Sequence, residues 1–390
     1  MTTRPALALR SALASVALVC CNASLSAQGP TRATLHSEMK INGSAPSIEF
    51  TMILSVLPLR DGSIVVAEPR EYRLRHFSED GARQRTFGRD GSGPGEYRLI
   101  HLVGAKGDSI WVTDIRLRRT TWLSVDGALF GTEQWDLEQA TPGLSRHNIL
   151  GYLSTGAAFG ELSLRAEATG DESAPRRIRL LGTGSAGGTR EIVEIPAQHT
   201  TFRVMDGPTI NFGRQPFQDA PIVSAGVGTD RIVVVDRRVM VTSSARAFSV
   251  TAIESNGDTA WRRLIPYVPL RVDKSVKDSI VQRMQVSLSR SGASESVIRT
   301  ALHLPDTRPP VSDAFVADGG AVWIRREENE SSVTYLRVTA DGRLDLETSV
   351  PRALRLVAAR GTKVWGIELD ADRVPSIVRF AIERSRPSTR

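Results

Sequence analysis

Four carboxylates stand at the ends of short β-branched runs: Glu68 in SIVVAE, Asp114 in SIWVTD, Asp236 in RIVVVD and Glu368 in KVWGIE. Acids at equivalent strand ends converge if the strands are arranged around a common axis. Convergent carboxylates can hold a hard cation through oxygen ligands or act as general acid and base. The segment GIELDAD alternates Glu368, Asp370 and Asp372, which puts three carboxylates on one side of a strand end and makes them the candidate site for Ca2+. The D-x-[DN]-x-[DN]-G spacing of a calcium loop is absent. The competing use of these acids is to accept turn amides and to pair with nearby Arg116, Arg237 and Arg373.

Other chemical signatures are sparse. The histidines are His36, His76, His101, His147, His199 and His303, and no two lie within five residues of each other. His101 falls on an apolar strand segment and could face a central channel, as part of a site assembled from distant segments. No G-x-S-x-G, H-E-x-x-H or G-x-x-x-x-G-K-[S/T] motif occurs. LLGTGSAGGT contains a G-x-G-x-x-G match, but dinucleotide binding needs a helix immediately after it to receive the pyrophosphate. The next residues are REIVEIP, a strand, so the glycines read as a hairpin loop. FGRDGSGPGEYRLI (87–100) fails in the same way, because it runs into the strand RLIHLV. Gly93-Pro94-Gly95-Glu96 instead has the signature of a type II turn.

The elements that must position these residues recur. The runs at 63–68, 109–114, 157–162, 231–236, 321–326 and 363–368 are each preceded by a short apolar segment, and most are followed by a third strand, a hairpin turn and a fourth strand. Asp80-Gly81, Asp126-Gly127, Asn256-Gly257 and Asp341-Gly342 supply the turns. The expectation is an all-β fold, a six-bladed β-propeller of four-stranded antiparallel blades. The sixth unit lacks a strand, which residues 33–42 can supply from the N-terminus. Between the fourth and fifth units, 272–310 breaks the pattern. Val276, Ile280, Met284 and Leu288 recur every four residues after Asp273, a candidate N-cap. Ser291-Gly292 interrupts the helix before a second short face, and LPDTRPP forces an extended exit. Links between units and between second and third strands share one end of a propeller. The helices should therefore cover part of that end, with Arg89, Asp90, Glu96, His101, Asp114 and Asp236 bordering a ligand site there. Trp111, Trp323 and Trp365 occupy one position in three units and fit packing between sheets.

The stretch FGRDGSGPGEY, an inner strand and SIWVTD resemble the NHL-type repeat, in which a glycine-proline-glycine linker leads into the next blade. The wider resemblance is to bacterial exported six-bladed β-propellers of the NHL-like kind. It implies the fold, and either binding or enzymatic activity.

The N-terminus reads as a secretory signal over 1–27: Arg4 and Arg10 precede an apolar stretch to Cys21, and cleavage falls after Ala27. Residues 28–390 then form one propeller domain in the periplasm or outside the cell. Lipid attachment at Cys20 or Cys21 is the lesser alternative, because Val19 and Cys20 are poor preceding residues. Cleavage at Ala27 leaves no cysteine. The formal net charge is +7, carried almost wholly by arginine interspersed with acids, which gives no nucleic-acid footprint. No further run is long enough to span a membrane. The function expected is a monomeric binding or scaffold protein for a small molecule, glycan or protein on the helix-capped face. The alternative is a metal-assisted hydrolase or lyase with carboxylates near the axis.

Overall fold

The computed structural model describes residues 29–135, 145–154, 156–163, 177–183, 189–196, 201–206, 209–226, 229–242, 245–327 and 331–385; the signal-type segment and the 184–188 loop of the G-x-G-x-x-G match lie outside them. The chain is mostly strands. β1 (Thr31–Ile41) is followed by a run of four: β2 (Ser55–Pro58), β3 (Ile64–Glu68), β4 (Arg73–Phe77) and β5 (Gln84–Phe87). The short parallel pair β6 (Arg89–Asp90) and β7 (Glu96–Tyr97) links it to β8 (Ile100–Lys106), β9 (Ser109–Asp114), β10 (Arg119–Ser124) and β11 (Leu129–Gln134). A third run comprises β12 (Ser145–Leu153), β13 (Gly156–Ser163), β14 (Arg177–Thr183) and β15 (Thr189–Pro196). The hairpin β16 (Thr201–Asp206) and β17 (Thr209–Arg214) leads from it to β18 (Ile222–Ala225), β19 (Arg231–Val241), β20 (Arg246–Glu254) and β21 (Thr259–Pro266). Helices α1 (Lys274–Ser287) and α2 (Glu295–Ala301) come next. The chain ends with β22 (Asp313–Val316), β23 (Val322–Glu327), β24 (Ser332–Val338), β25 (Leu344–Pro351), β26 (Leu354–Arg360), β27 (Lys363–Leu369) and β28 (Pro375–Arg384).

Neighbours in sequence are neighbours in the sheets. β2–β5 and β8–β11 form separate four-stranded antiparallel sheets. One eight-stranded sheet runs β15-β14-β13-β12-β18-β19-β20-β21, two antiparallel runs of four touching through the parallel contact of Gly151 with Ala225. The other runs β22-β23-β24-β25-β1-β28-β27-β26. β14 and β15 pair through Thr183 and Thr189, so the second half of the G-x-G-x-x-G match leads into a strand and not a helix.

β1 is the element that joins the two ends of the chain. It pairs antiparallel with β28 from Ala33↔Arg384 to Ile41↔Ile377, and its first residues pair parallel with β25. Ala33 packs in the core between β23–β26, whereas Ile41 packs with Val56, Ile64, Phe77 and Trp365. Thus an N-terminal strand cements the last run to both its neighbours. Trp111, Trp323 and Trp365 are all buried between sheets, which leaves packing as their role.

The helices form where the apolar spacing puts them. Asp273 precedes α1, but its side chain makes no cap hydrogen bond; only its carbonyl accepts, from Val276 and Lys277 N–H. Ser294 caps α2 through its side chain, accepting from Val297 N–H. Ile280, Val281, Ile298 and Leu302 build a small core of their own with Val204 of β16 and with Phe217. The helices are therefore braced by the hairpin link that precedes β18.

Ile41→Ala should lower unfolding free energy by about 2–4 kcal/mol in urea denaturation. Removal of residues 28–41 should expose the β28 edge and give oligomers in size-exclusion chromatography.

Candidate functional site

Alternating strands send the chain back and forth, so every turn between the first and second strands of a run lies at one end of the molecule. The links between runs lie at the other. A cavity of about 610 Å³ opens at the first of these ends. The first turns of successive runs line it: Pro58–Asp61, Ala105–Ser109, Leu153–Ser154, Gly226 with Thr229 and Asp230, Asp318 and Arg360. Leu59, Ile110, Val125, Tyr152 and Leu153 make much of the wall apolar.

The turns are tied to one another in sequence order. Arg60 donates to Asp108 at 3.2 Å, and Lys106 Nζ donates to the Leu153 carbonyl at 2.8 Å. Ser154 donates through N–H and Oγ to the two oxygens of Asp230, each at 2.5 Å. The Thr229 methyl abuts Gly320, where an added β-carbon would come within 2.4 Å of it. Asp318 N–H donates to the Ala359 carbonyl at 3.2 Å, and its carboxylate lies 3.4 Å from Arg360 Nη2. Arg360 Nη1 closes the circuit on the Pro58 carbonyl at 3.3 Å. Asp61 is occupied by Ser63, whose Oγ also contacts His76 Nε2 at 2.8 Å; that Ser63 bond holds the Asp61 pKa below the ordinary carboxylate range. Every charged side chain on the wall therefore already has a polar partner. A second cavity of similar volume lies beside the start of α1, lined by Arg246, Arg271, Lys274, Asp273 and Asp306 and by no aromatic ring.

Tyr152 connects the cavity wall to an aromatic cluster. Its ring lies 5.3 Å from Trp111 and 4.8 Å from Trp122, centroid to centroid. Its hydroxyl donates to Thr120 Oγ1 at 2.6 Å, where Trp135 Nε1 also donates. Burial raises the Tyr152 pKa, so the phenol stays protonated.

The residues singled out from the sequence sit at the other end. Gly93–Glu96 forms the expected turn, with Gly95 at φ +72 and Glu96 N–H donating to the Gly93 carbonyl at 3.1 Å. Glu96 accepts from Gly93 N–H at 2.7 Å and pairs with Arg89, contacts that hold its pKa low. Asp90 pairs with Arg98, and Arg119 donates to the Ser92, Gly93 and Glu96 carbonyls. Arg89, Asp90 and Glu96 are thus engaged in holding their own loop. Asp114 is fully buried and accepts four backbone amides, those of Arg98, Leu99, Arg116 and Leu117, at 2.6–3.0 Å. Asp236 is chelated by Arg238, and the fully buried Glu68 bridges Arg73 and Arg75. Arg75 in turn stacks on Phe50 with 4.4 Å to the ring centroid.

The GIELDAD acids do not converge. Glu368 pairs with Lys40 at 2.8 Å; Asp370 accepts from Ser44 Oγ and Val374 N–H, which lowers its pKa. Asp372 is exposed. Among the described residues no three His, Cys, Asp or Glu side chains are placed to hold a metal ion. His101 occupies a bulge in β8, between Ile100 opposite Asp114 and Leu102 opposite Thr113. Burial lowers its pKa from the ordinary 6.5. The inner-turn cavity was not singled out from the sequence. Its signal was the set of six polar turns between first and second strands, which by themselves look like any hairpin turns.

No family model matches the chain, and no curated protein matches it. Among solved structures it is similar to a putative exported protein from Bacteroides fragilis, at 11% identity and a TM-score of 0.47, covering 91% of this chain and 96% of that one. It is similar to virginiamycin B lyase from Staphylococcus aureus, at 10% identity and a TM-score of 0.41, covering 90% and 99%. It is also similar to the PQQ-bound form of aldose sugar dehydrogenase from Streptomyces coelicolor, at 12% identity and a TM-score of 0.41, covering 91% and 100%. None of these likenesses assigns an activity.

Asp114→Ala removes a buried carboxylate that accepts four backbone amides and should cost roughly 3 kcal/mol in urea denaturation. His101 gives a pH signature. Its folded pKa is depressed, so the unfolded state binds the extra proton first. Its contribution is fully present above pH 6.5 and is lost as pH falls toward the folded value. His101→Phe should flatten the decline of stability below about pH 6.5, measured by denaturation at stepped pH.

Proposed function

We propose that this chain is an exported six-bladed β-propeller, with four strands per blade over residues 28–390, that binds an uncharged small molecule in the cavity lined by its six first turns. Three features support the architecture: the four-strand runs, the β1–β28 closure, and the Phe87–Tyr97 linker resembling the NHL-type repeat. Export rests on the signal-type sequence of residues 1–27; no helix among the described residues is long and apolar enough to cross a membrane.

The observation that carries the ligand reading is that every charged side chain on the cavity wall has a polar partner, two of the contacts being the ion pairs Arg60–Asp108 and Arg360–Asp318. Arg60, Lys106 and Arg360 stand against Asp61, Asp108, Asp230 and Asp318, each with a polar partner in place. A charged ligand would have to displace one of these contacts, a rearrangement that an uncharged ligand does not need. The apolar wall of Leu59, Ile110 and Leu153 favours a molecule with an apolar face. The expected ligand then sits at the end opposite the helices, rather than on the helix-capped face.

The test is a panel of uncharged mono- and disaccharides and uncharged aromatic amides, read by thermal shift and by fluorescence of the tryptophans packed on Tyr152. A binder found in this panel should lose about tenfold or more in affinity in Ser109→Trp, which fills the cavity wall. Unchanged affinity in that variant, or a panel without a binder, counts against the cavity as the site.

A further inference from the structure

One run overshoots others at the end opposite the six-turn cavity. β3 and β9 stop at Glu68 and Asp114, whereas β19 continues past its equivalent acid, Asp236, to Val241. β20 begins alongside this extension, with Met240 opposite Ala247 and Val241 opposite Arg246. β21 accompanies the pair: Tyr267 N–H donates to the Arg246 carbonyl at 3.0 Å, which sets Val268 beside the same tip. A ribbon that projects past its neighbours has little to pack against. This one nevertheless carries Val239, Val241 and Val268, which are 37%, 79% and 84% exposed. Single exposed valines are ordinary, but three on one projection mark an interaction surface.

Cations surround the projection. Arg246 stands opposite Val241, and Arg262 Nη2 reaches Met240 Sδ at 3.4 Å. Arg246 also shares the cavity beside the start of α1 with Arg271 and Lys274. All four of these cations are exposed. Among the described residues Arg246, Arg262 and Arg271 have no carboxylate oxygen within 4.0 Å. The acids nearby are mostly committed. Asp306 pairs with Lys277 at 2.7 Å and also feels Arg271. Asp278 is shared by Lys274 and Arg299, each at 2.8 Å. That leaves Asp273 as the remaining counterweight in the cavity wall, so the balance around the valines is positive.

We propose that this projection docks on an anionic lipid surface, with Val239, Val241 and Val268 entering the interface and Arg246, Arg262 and Arg271 meeting lipid phosphates. The charge is complementary, because basic side chains are drawn to an anionic leaflet. A weak apolar anchor becomes a stable attachment when a basic patch supplies the second signal. Arginine suits this position, since its stem lies along apolar surface while its head stays at the phosphates. The shape favours a bilayer over an acidic protein. Val241 and Val268 stand at the end of a projection and do not line the neighbouring cavity; a fluid interface accepts such a tip without a matching pocket. The β19–β20 link and the six-turn cavity lie at opposite ends of the molecule, so docking leaves that cavity facing away from the lipid.

The experiment uses residues 28–390 and phosphatidylcholine vesicles with or without phosphatidylglycerol, read by co-sedimentation at low and high sodium chloride. Wild-type protein should pellet with the phosphatidylglycerol vesicles, stay in solution with phosphatidylcholine alone, and be released by salt. Val241→Ser with Val268→Ser, and separately Arg246→Gln with Arg271→Gln, should each weaken binding by about tenfold or more. These four side chains are exposed, so the melting temperature should not change. Residues 28–390 contain no cysteine, so Val241→Cys carrying an environment-sensitive dye reports entry into the interface directly. Its emission should shift to the blue on phosphatidylglycerol vesicles, whereas the same dye on Asp108→Cys, at the cavity end, should not respond. Wild-type protein that stays in solution with phosphatidylglycerol vesicles, or a silent dye at Val241→Cys, overturns the proposal. Binding that the valine pair leaves unchanged overturns it too, and retention on heparin with the same indifference to the valines assigns a soluble polyanion instead.

Discussion

Everything at the cavity end depends on the pairing of β1 with β28. An antiparallel ladder from Ala33↔Arg384 to Ile41↔Ile377 joins the two ends of the chain, and the first residues of β1 reach across to β25. Without that strand the last run would present β28 as an open edge, a template for pairing with other chains. The cavity needs the closure as well, because its wall includes turns from both the first run and the last. The contact of Arg360 with the Pro58 carbonyl exists only if those two runs are held side by side.

Charge is used differently at the two ends. At the cavity end, ions and polar groups from successive turns pair with each other, so the wall is polar at its joints and unreactive towards charge between them. Several of those pairs are exposed; Arg60 and Asp108 keep most of their side-chain surface in water, so each contributes little to stability. Their effect is on what the cavity can accept. At the opposite end three of the carboxylates, Glu68, Asp114 and Asp236, are buried and expensive to leave unmet. Asp114 gathers four amides at the start of its run's next turn, Glu68 holds two arginines, and Asp236 holds Arg238. A buried acid that has collected this many donors is a structural device: it fixes the exit of a strand and the entry of the next link.

The strand rhythm was legible because alternation and turn chemistry are local. SIVVAE, SIWVTD and KVWGIE are buried strands, and the Asp-Gly turns sit where the hairpins close. The extended segment assigned to 33–42 pairs where the missing strand was needed. The Gly-Pro-Gly-Glu turn was legible for the same reason: Pro94 fixes its own φ at the second turn position, and Gly95 supplies the positive φ at the third. Two local readings failed in detail. Asp273 precedes α1 without capping it through its side chain, because a residue at the right offset need not turn its carboxylate toward the helix. The alternating acids of GIELDAD share a strand end, yet Lys40 and Ser44 from β1 and the turn after it draw two of them apart.

The sequence by itself determined the all-β class, the strand-turn periodicity, the helical insertion and the absence of familiar catalytic motifs, since each depends on residues a few positions apart. It also limited the acids at strand ends to two uses, chemistry or turn support. Only the tertiary structure chose between them, because the deciding donors, such as Arg98 and Leu99 for Asp114, come from another segment brought alongside. It alone assembled the cavity, whose lining turns lie about 40 to 90 residues apart in the chain and meet only when the runs stand side by side.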